Sequence, residues 1–278
     1  MLVYSFPELS TGKLVKRYKR FFADIELENG EIVTAHCANT GPMTGICTPG
    51  ATVYVSHSNN PKRKLKYSWE LIEVDQTIVG VNTSLPNKVI GAMLEQRLLE
   101  PLEPYTSFKG EVKYGQENSR IDFLLTSEVA QTYVEIKNTT WAKGNLALFP
   151  DTVTTRGQKH LRELMAVMQE APEQKEVSGD RPASKTTSAR KSTKSGKTKS
   201  TKPEQSPKSS LPNLATKAAL IYFINRHDCD RFTPGDEADP EYGKLFRAAI
   251  DRGVMVLPCR FEISPAGIKY LGLAELVI

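Results

Sequence analysis

The chain has 278 residues, of which 39% are hydrophobic and 25% are charged. These values exclude a collagen-like or wholly disordered chain and allow one large domain or two small ones. No stretch approaches the ~18 consecutive apolar residues of a membrane-spanning helix, the first residues lack the pattern of a secretory signal, and four scattered cysteines exclude a disulfide framework. We therefore expect a cytoplasmic protein that does not enter a membrane.

The formal net charge of +5 is concentrated in one segment. Residues 171–213 contain 10 Lys or Arg and 4 Asp or Glu, so the rest of the chain has a net charge of −1. This segment has almost no large apolar residue and cannot offset its ordering entropy by burial. We predict a disordered insertion, rich in Lys, Ser and Thr, that interrupts a folded domain. The total charge therefore says little about the folded surface.

The first 80 residues are predicted to form a small all-β domain. Residues 21–27 alternate apolar and polar side chains, Asn29-Gly30 is a tight-turn signal, and residues 32–37 return as the partner strand. Residues 12–18, 52–56 and 65–74 add three strand candidates. Five short strands in a domain of this size predict an OB-like five-stranded barrel, a fold that often binds oligonucleotides.

Residues 81–278 are predicted to form a mixed-sheet α/β domain that carries the insertion. Apolar residues at helical spacing predict helices over residues 87–99, 155–169 and 240–252. Strands are predicted over residues 107–114, 119–126, 131–138, 217–225 and 254–261. This order of elements describes a mixed sheet flanked by helices.

Two of these strands carry the clearest chemical pattern. Side chains alternate across a strand, so Glu135 and Lys137 share one face while Ile136 points to the other. If the strand that contains Asp122 pairs with this one, Asp122 lies beside Glu135. Mg²⁺ takes few protein carboxylates and completes its shell with water and phosphate oxygens, so the three side chains suit metal-assisted phosphodiester hydrolysis, with Lys137 positioning the attacking water or offsetting charge on phosphate.

Glu135 and Lys137 also have a simpler interpretation. A glutamate and a lysine two residues apart are common on a half-exposed strand, where a surface ion pair contributes only ~0–1 kcal/mol. The acidic strand before them and the basic start of the helix after them favour the catalytic interpretation.

Five motifs resemble the bacterial sugar fermentation stimulation protein family. They are RID at residues 120–122, VEIKN at 134–138, FPD at 149–151, TRGQKHL at 155–161 and HCANTGPM at 36–43. The resemblance covers residues 1–170 and 214–278. It implies an OB-like barrel followed by a restriction-endonuclease-like α/β domain of the PD-(D/E)XK type, with DNA as partner.

The resemblance also assigns roles by position. Asp122, Glu135 and Lys137 match the catalytic residues of PD-(D/E)XK nucleases, and Ile121 stands where the motif name has Pro. Asp122, Glu135 and the backbone carbonyl of Ile136 would hold Mg²⁺, and Glu95 is a weaker match to an additional acidic ligand.

Nine residues are expected to contact nucleic acid. Arg156 and His160 lie at the start of the helix predicted after residue 155, where free N–H groups and the helix dipole attract phosphate. The others lie in the barrel, as basic residues near aromatic side chains or at a turn tip: Lys16, Arg17, Arg20, Lys64, Lys66, Asn39 and Thr40. Trp69 alternates with other apolar residues as a buried face would, so we expect it in the core.

Taken together, these features favour a DNA-binding protein with an Mg²⁺-dependent nuclease site; RNA is the alternative nucleic acid. A link to the regulation of sugar metabolism is implied by the resemblance alone. Two other functions stay open from the sequence. One is a non-catalytic DNA-binding regulator on a nuclease-like scaffold, and the other is an interaction protein that touches no nucleic acid.

Overall fold

The computed structural model describes residues 1–117, 119–169 and 214–278. The predicted insertion at residues 171–213 therefore lies outside the described residues. The strands are β1 (Leu2–Ser5), β2 (Leu9–Tyr18), β3 (Phe22–Leu27), β4 (Ile32–His36), β5 (Thr52–His57), β6 (Tyr67–Val74), β7 (Thr77–Gly80), β8 (Ser107–Tyr114), β9 (Ser119–Thr126), β10 (Ala130–Thr139), β11 (Trp141–Lys143), β12 (Leu146–Phe149), β13 (Ala215–Ile224), β14 (Arg231–Pro234), β15 (Met255–Ser264), β16 (Gly267–Leu273) and β17 (Glu275–Leu276). The helices are α1 (Leu85–Glu95), α2 (Thr155–Gln169) and α3 (Pro240–Asp251), with one 3-10 turn at Glu100–Leu102.

The N-terminal domain is a closed five-stranded barrel, as predicted. Its strands follow the order β4-β3-β2-β5-β6, and a parallel pairing of β4 with β6 closes the barrel. Every second residue along the strands points inward and fills the barrel interior. Leu14, Ile25 and Trp69 are examples, and each is at most 1% exposed. The expectation that Trp69 belongs to the core is thus confirmed. The additional strand β7 pairs with β6 and leads the chain towards α1.

The C-terminal domain is built on a seven-stranded mixed sheet in the order β1-β16-β15-β13-β10-β9-β8. The central strands β10, β13 and β15 are parallel, and the outer pairs are antiparallel. Successive residues of β13 enter different cores, with Phe223 packing in the layer of α1 and Tyr222 in that of α2 and α3. The predicted mixed sheet flanked by helices is therefore confirmed. No helix of the described residues is long and apolar enough to span a membrane.

The structure corrects two details of the predicted organisation. The predicted barrel domain begins at residue 1, but Leu2–Ser5 pairs with Gly267–Leu273 at the edge of the seven-stranded sheet. This partner lies at the other end of the sequence, so no local pattern indicates the pairing. A small second sheet, in the order β11-β12-β14-β17, is absent from the sequence prediction, because its strands have only 2–4 residues. All four cysteines are free thiols, and three are buried.

A close contact at Gly80 joins the barrel to the α/β domain. The Gly80 amide donates to the Asn225 carbonyl at 2.9 Å, and the buried Asn225 side chain donates back to the Gly80 carbonyl at 3.1 Å. A Cβ atom on Gly80 would lie 2.0 Å from the Asn225 Oδ1 atom. Only glycine therefore allows the two backbones to approach this closely.

We expect Gly80→Ala to lower the free energy of unfolding by about 1–3 kcal/mol, because the added methyl group overpacks a buried contact. Gly110→Ala is the matched control, since a Cβ on Gly110 in β8 meets its nearest neighbour at an ordinary 3.6 Å. Urea denaturation of both variants measures the difference. Equal stability of the two variants would contradict the tight junction.

Candidate metal and nucleic-acid site

The paired strands β9 and β10 bring two acidic residues together. Their antiparallel pairing runs from Gln131↔Thr126 to Val134↔Phe123. Beyond that point the Asp122 carboxylate takes the place of a strand partner, because its Oδ2 atom accepts from the Ile136 amide at 2.7 Å. Its Oδ1 atom accepts from the side-chain amide of Asn87, in the first turn of α1, also at 2.7 Å.

The backbone carbonyl of Ile136 lies at the same edge of β10. In an antiparallel pair, the N–H and C=O groups of one residue point towards the same neighbouring strand. The Ile136 N–H group points to Asp122, where the regular pairing with β9 has ended. Its carbonyl oxygen therefore faces the side of the strand that carries the Asp122 carboxylate.

Glu135, Lys137 and His160 form a buried cluster between β10 and α2. They are 3%, 8% and 4% exposed. The Lys137 ammonium lies 2.7 Å from Glu135 Oε1, and His160 Nδ1 contacts the same oxygen. Because all three side chains are buried, the cluster is not the half-exposed surface ion pair of the simpler interpretation.

The hydrogen bonds determine the tautomer of His160. Arg156 Nε donates to His160 Nε2 at 3.4 Å, so that ring nitrogen is the acceptor. With Nε2 as the acceptor, Nδ1 is the ring nitrogen that donates to Glu135 Oε1. His160 and Lys137 thus both donate to one oxygen of Glu135, which explains why their nitrogens lie only 3.1 Å apart.

The second carboxylate oxygen of Glu135 differs from the first in its hydrogen bonding. Glu135 Oε2 is buried and has no hydrogen-bond partner among the described residues. Leaving a charged oxygen buried without a partner costs about 1–3 kcal/mol or more. A divalent cation held by Glu135 Oε2, Asp122 and the Ile136 carbonyl would remove this cost, so the residues present fit Mg²⁺ or another cation that prefers oxygen.

The protein offers few ligands for such a cation. Within the described residues, no group of three or more His, Cys, Asp or Glu side chains is arranged to hold a metal. Two carboxylates and one carbonyl leave the remaining positions to water or to phosphate oxygens. This is the usual arrangement for Mg²⁺ in enzymes that act on phosphates.

The two carboxylates have shifted pKa values in opposite directions. Burial, and then the nearby charge of Glu135, raise the pKa of Asp122 to about 6, against the hydrogen bonds from Ile136 and Asn87. Burial also acts to raise the pKa of Glu135, but Lys137 and His160 outweigh it and the pKa is lowered. Glu135 is therefore charged at neutral pH, and a cation would relieve its repulsion of Asp122.

Glu95 does not join this site. It is exposed at the C-terminal end of α1, eight residues after Asn87, which is about 12 Å along a helix. The α1 side chain that contacts Asp122 is the neutral Asn87. The sequence interpretation missed Asn87 because it sought an acidic metal ligand, whereas the contact here is an amide donor.

The structure assigns His160 a role other than contact with phosphate. The ring is almost fully buried, and both of its nitrogens are engaged by Glu135 and Arg156. Its Nδ1 atom holds Glu135 Oε1 and thereby orients the Glu135 carboxylate. Arg156 itself is exposed, and its terminal guanidinium nitrogens have no partner among the described residues, so it remains available to an anion.

Some of the barrel residues predicted to contact nucleic acid are instead hydrogen-bonded within the barrel, and the others are exposed. The Arg17 guanidinium donates to the carbonyls of Asn39 at 2.9 Å and Gly41 at 3.0 Å, so it holds the turn after β4 and does not face phosphate. Asn39 is buried and accepts from the Gly41 amide, which also makes its side chain part of the turn. Lys66 donates to the Asn60 carbonyl at 3.0 Å.

Four predicted contacts remain accessible. Arg20, Lys64 and Thr40 are exposed, and their side chains have no partner in the described ranges. Lys16 is also exposed and forms a loose 3.5 Å ion pair with Asp24. Three of the seven predicted barrel contacts are therefore engaged internally, and four remain available.

Strand pairing places these residues at one end of the barrel. Tyr18 is paired with Phe22, Phe22 with His36, and His36 with Ser68. The loop after Tyr18, the turn after His36 and the basic segment before Tyr67 therefore lie at this end. The turn after β4 also reaches the α/β domain, where the Thr44 amide donates to Asp151 Oδ2 at 3.3 Å.

Comparison with known proteins gives a consistent assignment over both domains. The model of the sugar fermentation stimulation protein RE domain matches residues 84–175 and 210–267, and the model of the SfsA N-terminal OB domain matches residues 15–81. Relatives named sugar fermentation stimulation protein homolog occur in Cyanothece sp. and Crocosphaera subtropica. They are 52% and 53% identical to this chain, over 99% of its length and 98% and 97% of theirs.

A solved structure is also similar. It is described as the structure of Pyrococcus furiosus SfsA in complex with Ca²⁺, and it matches with a TM-score of 0.78 over 100% of both chains. Its sequence is 21% identical, so this similarity shows the shared fold alone.

We expect the stability of Asp122→Asn relative to the wild type to increase with pH when EDTA removes metal, because the amide carries no charge that burial could penalise. Between pH ~4 and ~6 the folded protein retains the Asp122 proton that the unfolded chain has released, so the Asp122 contribution to stability falls as pH rises through this window. The free-energy difference between variant and wild type should therefore grow by about 2 kcal/mol from pH 4 to pH 7. Urea denaturation at several pH values measures it, and a constant difference would contradict the raised pKa.

Proposed function

The chain belongs to the sugar fermentation stimulation protein family, and we propose that it is a cytoplasmic DNA-binding protein that cleaves phosphodiester bonds with Mg²⁺. The observation that carries this proposal is the buried Glu135 carboxylate, which has two donors on one oxygen and none on the other. Asp122, which binds the Ile136 amide, and the Ile136 carbonyl would supply further oxygen ligands.

The proposed cation agrees with the chemistry of the ligands and with one similar protein. Carboxylate and carbonyl oxygens are preferred by Mg²⁺ and Ca²⁺. The similar Pyrococcus furiosus structure is a complex with Ca²⁺. Bound between Asp122 and Glu135, Mg²⁺ would polarise a phosphodiester and lower the pKa of a bound water.

The protein groups would divide the remaining work. His160 and Lys137 hold Glu135 Oε1, so that Oε2 stays directed at the cation. Lys137 is the group next to the carboxylates that can orient the attacking water or offset charge on the phosphate. Arg156 presents free guanidinium nitrogens at the start of α2, where a phosphate oxygen is also attracted by the helix dipole.

Nucleic acid would approach over the barrel end that faces the α/β domain. Arg20, Lys64 and Lys16 supply exposed positive charge there. Contacts of these side chains with phosphates are independent of sequence, so they favour binding to the backbone of DNA or RNA. Sequence specificity and the link to sugar metabolism require additional contacts.

A second function is favoured by the state of Lys137. Its ammonium is buried and already paired with Glu135 at 2.7 Å, and both Asp122 oxygens accept hydrogen bonds. A lysine and an aspartate that already have partners suit a non-catalytic regulator that uses the nuclease-like scaffold to hold DNA. Cleavage assays separate the two functions.

We expect the wild type to cleave DNA with Mg²⁺ and not with EDTA, and Glu135→Gln to reduce the rate by on the order of a hundredfold or more, because the amide cannot replace the carboxylate at the cation. The matched control is Glu95→Gln, which alters an exposed glutamate outside the site. Gel analysis of labelled single-stranded and duplex substrates measures the rates.

The possible results assign the function. Full activity of Glu135→Gln would exclude this site from the mechanism. Unaltered DNA binding without cleavage in any divalent metal would support the non-catalytic regulator.

We expect Arg20→Ala and Lys64→Ala each to weaken DNA binding and to make the negative slope of log affinity against log salt shallower by about 0.9 for each phosphate that the side chain no longer neutralises. The control is Lys269→Ala, because Lys269 is exposed on β16 and paired with Glu262 at 2.7 Å. Fluorescence anisotropy over a range of salt concentrations gives the slopes. Identical slopes for all three variants would remove this end of the barrel from the interface.

A further inference from the structure

A cavity of about 390 Å³ lies between the turn after β4 and the α/β domain. Nothing in the proposed metal site uses it. Its lining includes hydroxyl, amide, aromatic and guanidinium groups, from Thr40, Thr83, Asn138, Trp141, Phe149 and Arg156.

We propose that this cavity, the base pocket, receives one unstacked base of a single-stranded nucleic acid whose backbone passes the Glu135 site. The inference rests on the proposed function, because it names the form of nucleic acid that the same site would take. It predicts a preference for single strands, strand ends or unpaired nucleotides over an intact duplex.

The size of the cavity suits one nucleotide unit. A volume of about 390 Å³ falls within the ~300–1,000 Å³ range of pockets for small ligands. A base pair in a duplex stays stacked between its neighbours and is too large for a pocket of this volume. A base enters such a pocket only after it has left the stack, and leaving is easiest in a single strand.

The aromatic walls match the face of a base. Trp141 is half-buried and lines the cavity, and the Lys143 ammonium lies 5.6 Å from its ring centroid. The Phe149 ring is fixed by Tyr222 and Tyr242, with ring centroids 5.7 and 5.4 Å away. Bases of any type stack on such rings, which allows binding without sequence preference.

The polar walls match the edge of a base. Asn138 Oδ1 accepts from the Asn225 side chain at 3.0 Å, which leaves the Asn138 amide nitrogen as a donor. Thr40 contributes an exposed hydroxyl group. Neutral donors and acceptors of this kind pair with the ring nitrogens and carbonyl oxygens of bases.

The barrel side of the pocket is already ordered. Arg17 binds the carbonyls of Asn39 and Gly41, and the Thr83 hydroxyl donates to the Ala38 carbonyl at 3.0 Å. The acidic residue in the lining, Asp151, is engaged by the Thr44 amide. Binding therefore requires little loop ordering, which preserves affinity.

Arg156 connects the base pocket to the metal site. It lines the cavity, and its Nε atom binds His160, which in turn contacts Glu135. Its free terminal nitrogens can bind the phosphate of the nucleotide whose base occupies the pocket. The neighbouring phosphate would then approach the carboxylates.

Trp141 provides the test, because the chain has two tryptophans and Trp69 is 0% exposed. The full chain in EDTA is titrated with a single-stranded 12-mer of mixed sequence, an abasic 12-mer with the same number of phosphates, and a duplex of the same sequence. The single strand should quench tryptophan emission and bind about tenfold more tightly than the abasic strand, which is the size of effect expected for one stacked base. The abasic strand and the duplex should not quench.

Two variants show whether Trp141 is responsible. Trp141→Phe should abolish the quenching and keep single-strand affinity within about twofold, because phenylalanine also stacks. Trp141→Ala should weaken single-strand binding about tenfold and leave the abasic strand and the duplex unchanged, which also shows that the variant is folded.

The outcomes separate the inference from the proposed function. Equal affinity for the single strand and the abasic strand, or an equal decrease for all three probes in Trp141→Ala, would overturn the base pocket while DNA binding stands. Failure of the wild type to bind any of the three probes would overturn both.

Discussion

The candidate site depends on the difference in hydrogen bonding between the two carboxylate oxygens of Glu135. Lys137 and His160 both donate to Oε1, while Oε2 is buried without a partner in the described residues. The fold could hold a buried carboxylate at lower free energy by pairing both oxygens. Burial, and then the charge of Glu135, raise the pKa of Asp122. A cation between the two carboxylates would remove both penalties at once, and this is the basis of the proposed chemistry.

Elements of both domains surround that site. β9 and β10 stop pairing where Asp122 begins to bond Ile136, and α2 brings His160 and Arg156 over β10. The barrel adds the turn after β4, which contacts the α/β domain at Asp151. The metal site, the base pocket and the basic end of the barrel thus lie along neighbouring elements. A single strand of nucleic acid is the ligand that we propose for all three.

Local patterns predict the features that depend on local geometry. Alternation identifies β9 and β10 and places Glu135 and Lys137 on one face, and the strand count identifies the barrel. Local patterns do not show contacts between residues far apart in sequence. Glu95 lies about two helical turns from Asn87, and backbone and side-chain acceptors already engage Arg17 and His160, so the structure gives no support to the contacts predicted for these three residues. A charge in a sequence shows what a side chain can bind, whereas the tertiary structure decides what it does bind.

The most direct test is a calorimetric titration of Mg²⁺ into the wild type, Glu135→Gln, Asp122→Asn and Glu95→Gln at neutral pH. The account predicts one saturable site in the wild type and in Glu95→Gln, and its disappearance or a weakening of at least about tenfold in the other two. Unchanged binding in Glu135→Gln, or no binding in the wild type, would contradict it.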